Sequence, residues 1–356
     1  MNITADENIP YVKEAFNTLG KVTTVNGRTL SSDKLLTTDI LLVRSVTQVN
    51  QQLLQNTPVK FVASATAGFN HIDLDYLQKN NIGFARAPGS NAISAAEYVI
   101  AGISLWSLQN NKKLKCLSIG IIGCGNVGSR VKRLCEDIGI KCIINDPPLE
   151  ALDPTKYDFS SIEAALACDI VTLHTPLSYD GKHPSYRLLN QQNINSLKPD
   201  TLFINASRGE VVEEPALFNR IKSKNDMSLI LDVWENEPKI DLELLPYTLI
   251  GTPHIAGYSI DGKVRGTEMI YKATCDFLDL KPKWSVKQVD FSNNPRSTIK
   301  LSNNKDERTN ILEAYNIQQD DKDLKKLLSV AALQDGHYFD SLRKNYPARR
   351  EYSDLE

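Results

Sequence analysis

The sequence predicts an α/β protein with two Rossmann-like, doubly wound parallel-sheet domains, followed by a smaller C-terminal region. Three observations carry this fold class. Short apolar runs alternate with helical stretches over most of the chain, the pattern of parallel strands joined by crossover helices. A glycine fingerprint, Gly123-Cys-Gly125-Asn-Val-Gly128, follows directly on the strand-like run Leu117 to Ile122. Beyond about Pro282 the alternation gives way to polar, turn-rich stretches. At 356 residues the chain exceeds one typical core and suits two domains plus an appendage.

In chain order, Asp39 to Val43, Lys60 to Ser64 and Ile82 to Ala85 read as strands of a parallel sheet that has no nucleotide fingerprint. A long, largely apolar helix follows from Asn91, its expected N-cap, to about Gln109, and leads into the strand at Leu117. The chain then turns sharply at Gly123, lets its backbone approach a pyrophosphate at Gly125 and packs a helix closely at Gly128. That helix, Asn126 to Asp137, aims the unpaired N–H groups of Asn126, Val127 and its first turn at the phosphates. A second strand, Lys141 to Asn145, ends at Asp146, where a carboxylate can accept both ribose hydroxyls and would repel a 2′-phosphate, so NAD is expected rather than NADP. Standing alone, the glycine pattern is equally a turn between a core strand and an ordinary helix. The strand, helix, second strand and acid at the required positions make the nucleotide reading the stronger one.

Next come a capping box, Ser160-x-x-Glu163, and the strands Asp169 to Leu173, Thr201 to Ile204 and Ser228 to Leu231. Each strand ends in polar residues, and ligands bind beyond the carboxyl ends of open parallel sheets. His174-Thr175-Pro176, Asn205-Ala206-Ser207-Arg208-Gly209 and Asp232 are therefore expected at one crevice. A helix from about Tyr258 to Leu280 returns the chain to the first domain. The expected boundaries are residues 1–92, completed by 258–285, for substrate binding, 93–257 for NAD binding, and 286–356 for a C-terminal domain, with hinges near Ala92 and Tyr258. In that last part Ser292 to Ser297 and Ser302 to Arg308 are polar, and a helix is expected over Asp320 to Leu333. The basic, aromatic close from Leu342 to Tyr352 reads as a solvated tail or as a segment that binds a partner or reaches a phosphate.

The 41 Lys and Arg against 43 Asp and Glu offer no basic field for nucleic acid, so small-molecule chemistry is expected. No apolar run approaches the roughly 18 residues of a membrane span, and the first residues lack the basic start of a signal peptide. A soluble, cytoplasmic protein with no membrane partner is expected. The six cysteines form no C-x-x-C pair and are expected as small buried hydrophobes, with neither disulfide nor metal; Cys124, inside the glycine loop, reads as a space-filler rather than a reactive thiol.

Three residues have complementary chemistry: Arg208 after a strand, Glu237 in Asp232-Val-Trp-Glu-Asn-Glu237-Pro, and His254 in Gly251-Thr-Pro-His254-Ile-Ala-Gly257. Hydride transfer from a 2-hydroxy acid to NAD needs a base for the hydroxyl proton, for which His254 suits, and a cation for the carboxylate and developing carbonyl, for which Arg208 suits. Glu237 is the candidate to orient the imidazole and stabilise its protonated form. Taken singly, each has a plainer role as a loop histidine, a surface ion-pair arginine or a solvated acid. His71, His183 and His337 read as structural or exposed, and His174 as lining the cofactor crevice.

These blocks resemble the D-isomer-specific 2-hydroxyacid dehydrogenase family, in which Arg, Glu and His stand in this order. The resemblance extends over nearly the whole chain and includes Asp6-Glu7-Asn8, Val43-Arg44-Ser45-Val46-Thr47, Ala65-Thr66-Ala67-Gly68, Ala87 to Ala92, Ala256 to Lys263 and Leu342 to Tyr346. It implies oxidation of 4-phospho-D-erythronate to 2-oxo-3-hydroxy-4-phosphobutanoate with NAD, a step of pyridoxal 5′-phosphate (vitamin B6) biosynthesis. It implies a flavodoxin-like substrate domain and a small C-terminal α+β dimerisation domain, hence a homodimer. It also implies that Ser45, Thr66 and Tyr258 contact substrate, and that Asp146, Thr175, Ala206, Ser207, Arg208, Asp232 and Gly257 line the NAD site. Arg44 and the hydroxyls of Ser45 and Thr66, at strand ends, could hold a phosphate by charge-assisted hydrogen bonds, their plainer role being strand-end capping. Asn70 stands where the family usually has aspartate and Ser207 where it commonly has cysteine. Arg349 or Arg350 is a further expectation, reaching a partner's active site to help bind phosphate.

Two rival readings remain from the sequence. One is a sibling dehydrogenase acting on 3-phosphoglycerate, glyoxylate or lactate, against which the Arg44-Ser45 block and the short tail stand. The other is a non-enzymatic NAD-sensing corepressor, against which the intact Arg208, Glu237 and His254 set stands.

Overall fold

A computed structural model describes residues 1–295, 306–330 and 333–353, and these divide into two compact units. The first comprises residues 1–91, 258–295 and 348–351. Its strands are β1 (Asn2–Asp6), β2 (Lys21–Val25), β3 (Ile40–Val43), β4 (Phe61–Ser64) and β5 (Gly83–Arg86). They form one parallel sheet in the order β2-β1-β3-β4-β5, the flavodoxin-like arrangement. Side chains alternate across a strand, so Ile40 and Leu42 join Phe16, Phe61, Ile270 and Tyr271 on one face. Leu41 and Val43 join Val62, Leu35, Leu53 and Leu77 on the other. A sheet covered on both faces needs continuous apolar strands, which is why β3 and β4 are legible in the sequence. The edge strand β2 and the polar β1, with buried Thr4 and Asp6, are not.

The helix Ile260–Phe277 packs against β4 and β5. Its start is clamped by the chain's last residues. Glu351, fully buried, accepts from Ser259 Oγ at 2.9 Å and pairs with Arg265 at 2.8 Å. Arg350 forks onto the Asp261 carboxylate at 2.9 Å and lies 4.1 Å from the centre of the Phe291 ring. Arg349 donates from Nε to the Tyr258 carbonyl at 3.0 Å. The Arg350 guanidinium is thus engaged within its own chain by a buried carboxylate.

The second unit comprises residues 92–257, 306–347 where described, and 352–353. Its strands are β6 (Ser118–Ile122), β7 (Lys141–Asn145), β8 (Ile170–Leu173), β9 (Leu202–Asn205), β10 (Ser228–Leu231) and β11 (Thr248–Gly251). All are parallel, in the order β11-β10-β9-β8-β6-β7. The helix Ala92–Gln109 is buried over nearly its whole length, between the helices Asn126–Asp137 and Glu307–Ala314 among others, which is why it is apolar on every side. Its buried Glu97 accepts from the Tyr352 and Ser353 backbone N–H groups at 2.6 and 2.8 Å. Ser161, not Ser160, caps the helix Ile162–Leu166 through Ala164 N. The helix expected over 320–333 is instead Ile317–Lys325 followed by a 3₁₀ turn, Lys326–Leu328. The C-terminal region, expected as α+β, shows helices alone among the described residues; part of its polar stretches, 296–305, lies outside them. No helix of the described residues is long and apolar enough to cross a membrane.

Two histidines are neutral groups, His71 buried in the first unit and His174 half-buried at the end of β8 in the second. His71 in the first unit bonds Ser64 Oγ at 2.9 Å, and burial lowers its pKa to about 4. His174 in the second bonds Thr172 Oγ1 at 3.0 Å, and burial lowers its pKa to about 3. The unfolded chain binds these protons from pH 6.5 downward while the folded protein does not, so stability falls as pH drops through that window. His174→Asn is expected to make the loss between pH 6.5 and 4 shallower by up to about 1.4 kcal/mol per pH unit, read from urea unfolding at each pH. An unchanged slope would place a proton on His174 in the folded state.

Candidate active site

The register of the second sheet brings its strand ends level. Ile122 pairs with Asn145 and Leu173, Leu173 with Asn205, Asn205 with Leu231, and Leu231 with Gly251. The segments that follow all leave at one edge: the glycine loop, Asp146, His174-Thr175, Ala206 to Arg208, Asp232 and Thr252 to Gly257. The strand order reverses beside β6, so the glycine loop stands at the switch point where such sheets bind nucleotides.

At that loop Gly123 has a φ of +88°, and a β-carbon there would meet the His174 carbonyl at 2.9 Å. At Gly128 a β-carbon would overlap the Gly123 carbonyl oxygen, which holds the helix start tight under the strand. Gly125 is different: nothing lies within 4 Å of a β-carbon built on it, and Gly125 and Asn126 are exposed. Packing does not explain that glycine, whereas close approach of a pyrophosphate does. Asp146 Oδ2 accepts from Cys124 N at 2.7 Å and its Oδ1 caps Leu149 N at 3.0 Å, which leaves a lone pair on each oxygen for a ribose hydroxyl. Thr175 Oγ1 and His174 Nδ1 are buried with no hydrogen-bond partner among the described residues, as suits polar atoms that face a cofactor. These features fit a dinucleotide. Cys124 is buried and its thiol is pushed up to about 11 by that burial, which makes it inert packing.

Beyond β9, Asn205 shapes the loop. Its Oδ1 accepts from Ser207 N at 3.1 Å and Ser207 Oγ at 2.8 Å, and its Nδ2 donates to the Arg208 carbonyl at 3.0 Å. Arg208, half-buried, donates from Nη1 to the Ser207 carbonyl at 2.7 Å. The next residue must be glycine, because a β-carbon at Gly209 would overlap the backbone of Trp234 and Glu235. That contact locks the Arg208 loop onto the segment that carries Glu237. Glu214 secures the same segment, accepting from Glu235 N at 3.0 Å; burial raises its pKa to about 7.

Glu237 Oε2 lies 2.7 Å from His254 Nδ1, and its Oε1 accepts from Trp234 N at 3.1 Å. Burial pushes the Glu237 pKa upward, but the His254 charge, its ring hydrogen bond, Arg343 and the Trp234 N–H outweigh this and hold it below the usual value. The carboxylate is therefore an acceptor, and His254 donates from Nδ1 and keeps Nε2 for another partner.

His254 itself has a φ of +55°, a left-handed backbone that a non-glycine residue adopts at a cost. Asp232 holds it there. Its carbonyl accepts from His254 N at 2.7 Å, and its buried carboxylate accepts from Thr252 Oγ1 and Ile255 N, both at 2.7 Å, and from Ala256 N at 3.0 Å. Tyr98 OH bonds Thr252 Oγ1 at 2.8 Å, and Trp234 Nε1 donates to the Thr252 carbonyl at 3.0 Å. Burial raises the Asp232 pKa, against the pull of His254 and these donors. Asp232, expected to line the NAD site, is thus the anchor of the loop from Thr252 to Gly257. Glu214, Thr252, Trp234 and Tyr98 were not among the predicted site residues, because supporting hydrogen bonds between distant segments leave no local pattern.

In the first unit, Arg44 and Ser45 follow β3, Thr66 follows β4, and Tyr258 precedes the helix Ile260–Phe277. Arg44 Nε contacts Asp6 Oδ1 at 3.3 Å, Ser45 is exposed, and Thr66 Oγ1 donates to the Gly68 carbonyl at 3.0 Å. Residue by residue, the predicted groups of each unit lie at the carboxyl edge of that unit's sheet or on the helix beside it.

The glycine loop at the switch point and the Glu237–His254 pair define, as a class, an NAD-dependent 2-hydroxyacid dehydrogenase, and residues 97–256 match the NAD-binding domain of the D-isomer specific 2-hydroxyacid dehydrogenases. Residues 291–356 match a domain of unknown function, DUF3410. Over its full length the chain is 42% identical to an erythronate-4-phosphate dehydrogenase of Hahella chejuensis, covering 94% of that protein, and 40% identical to one of Proteus mirabilis, again covering 94%. The chain belongs to the erythronate-4-phosphate dehydrogenase family. Its fold is similar to that of NAD⁺-bound 3-phosphoglycerate dehydrogenase of Entamoeba histolytica (TM-score 0.67, 22% identity, covering 80% of this chain and 98% of that one). It is also similar to D-lactate dehydrogenase of Aquifex aeolicus (TM-score 0.63, 24% identity, covering 78% and 96%).

The anchoring role of Asp232 is testable. Asp232→Asn replaces one of the two acceptor oxygens with an NH2 donor, so at least one of the three hydrogen bonds is lost, and it is expected to lower kcat about 100-fold through misplacement of His254, with the fold retained by circular dichroism. A kcat within twofold of the parent protein would show that the loop holds without it.

Proposed function

We propose that the protein oxidises 4-phospho-D-erythronate to 2-oxo-3-hydroxy-4-phosphobutanoate with NAD, a step of pyridoxal 5′-phosphate biosynthesis. The observation that carries the reading is the 2.7 Å Glu237–His254 pair, set at the same sheet edge as Arg208 in a chain of this family. When bound, NAD supplies the acceptor for the C2 hydride; Gly123, Gly125, Asn126, Val127, Gly128, Asp146, Thr175, Ala206, Ser207, Arg208, Asp232 and Gly257 would hold it.

His254 Nε2 takes the proton of the C2 hydroxyl as the carbonyl forms, and Glu237 stabilises the imidazolium produced. Because the Glu237 carboxyl is held below its usual pKa, it remains ionised through this step. Arg208 holds the substrate carboxylate and the carbonyl oxygen on which charge develops. Arg44, Ser45, Thr66 and Tyr258 recognise the rest of the substrate. By the same reading, residues 1–92 with 258–285 bind substrate, 93–257 bind NAD, and 286–356 join two chains into a homodimer in the cytoplasm. The separate match over residues 291–356 supports a distinct role for the C-terminal segment.

The test is NADH formation with 4-phosphoerythronate, beside 3-phosphoglycerate and D-lactate, with a 2-oxo acid present in a parallel reaction to recycle tightly held cofactor. Selective turnover of 4-phosphoerythronate is expected, and His254→Ala should lower kcat roughly 10²- to 10⁴-fold. Preference for another acid would reassign the substrate, and silence with all three would overturn the enzymatic reading.

A further inference from the structure

The first unit carries an unbalanced pair of cations. Its strand order reverses between β1 and β3, so the switch point of this sheet lies where Asp6 ends β1 and Arg44 follows β3. Ala65 N donates to the Val43 carbonyl at 2.9 Å, which sets Ala65 and Thr66 beside Arg44 and Ser45. The helix Ile260–Phe277 lies against the same place: a β-carbon on Gly266 would come within 3.0 Å of the Ala65 carbonyl oxygen. Lys263 stands three residues before Gly266, on the same helix face.

The Lys263 ammonium lies 4.8 Å from the centre of the Tyr258 ring. Among the described residues it makes no hydrogen bond and no ion pair. The one charged group acting on it is another cation, Arg44; burial and then that repulsion hold its pKa below the ordinary lysine value. Arg44 has one anionic contact, the 3.3 Å approach to Asp6. Of these two half-buried cations only Arg44 has a carboxylate beside it among the described residues, at the edge of the sheet where ligands bind. Partly buried charges are ordinarily paired, and here the complement is missing.

We propose that Lys263, together with Arg44, forms the site for the terminal phosphate of the substrate. The inference rests on the proposed substrate and assigns its dianionic end to a residue with no other assigned role. A phosphate between the two cations supplies the charge the pair lacks, with Arg44 offering a fork of N–H donors and Lys263 a compact ammonium. The exposed Ser45 hydroxyl, next in the chain to Arg44, is a further donor.

Steady-state kinetics of Lys263→Met and Lys263→Arg with 4-phosphoerythronate and with unphosphorylated erythronate test this, with inorganic phosphate as a competitive inhibitor. For Lys263→Met the KM for 4-phosphoerythronate is expected to rise on the order of 10- to 100-fold with a much smaller change in kcat. The preference for 4-phosphoerythronate over erythronate, as a ratio of kcat/KM, should fall by a similar factor, and inhibition by phosphate should weaken with it. Lys263→Arg should restore most of the loss. If Lys263→Met does not fold, Lys263→Gln carries the same comparison. An unchanged ratio, or an equal rise in KM for both substrates, would overturn the phosphate assignment. Failure of the parent protein to oxidise 4-phosphoerythronate would instead remove the substrate reading, so the two failures are distinct.

Discussion

The catalytic half of the molecule depends on one buried carboxylate. Asp232, at the end of β10, receives hydrogen bonds from Thr252, Ile255 and Ala256, while its carbonyl receives the His254 N–H. Together these fix a loop whose central residue has a left-handed backbone, a conformation that persists only where its surroundings over-determine it. The result is an imidazole with Nδ1 on Glu237 and Nε2 left for the proton transfer proposed for it. Glu237 is placed by a second route, through the Trp234 N–H, the Gly209 contact and the Glu214–Glu235 bond. Neither route passes through a ligand, so in the proposed mechanism the fold itself sets base and orienter, which is how positioning lowers a barrier.

The two sheets solve their placement problems independently and alike. Each is parallel and buried on both faces, each has a point where strand order reverses, and each puts its chemistry beside that point. In the second unit the reversal carries the glycine loop and, at the end of the neighbouring strand, Asp146. In the first it carries Arg44 and Asp6. Ligands bind such sheets beyond the carboxyl ends of their strands, so functional residues accumulate there from distant parts of the sequence.

Much of this was legible in the sequence because the constraint was local. The glycine loop needs small residues at fixed spacing, and apolar β3, β4, β8, β9 and β10 need two covered faces. Strands β1, β2 and β11 were not legible, since they are short, polar or at a sheet edge and their burial comes from neighbours far along the chain. The anchoring role of Asp232 was not legible for the same reason: an acid at a strand end reads as a ligand for cofactor, and only the folded loop shows its oxygens accepting from Ile255 and Ala256 as well. The C-terminal segment gave the least. Its pairings, Arg350 with Asp261, Glu351 with Arg265 and Glu97 with Tyr352 and Ser353, join residues some 90 to 250 positions apart, where no local pattern can report them.

The central claim is that Glu237 and His254 act as one unit. A double-mutant cycle on kcat, with Glu237→Gln, His254→Asn and the pair, measures it most directly. The account predicts strong non-additivity, the double variant being about as slow as His254→Asn alone, because Glu237 acts only through the imidazole. Additive losses would contradict it and give Glu237 a separate role.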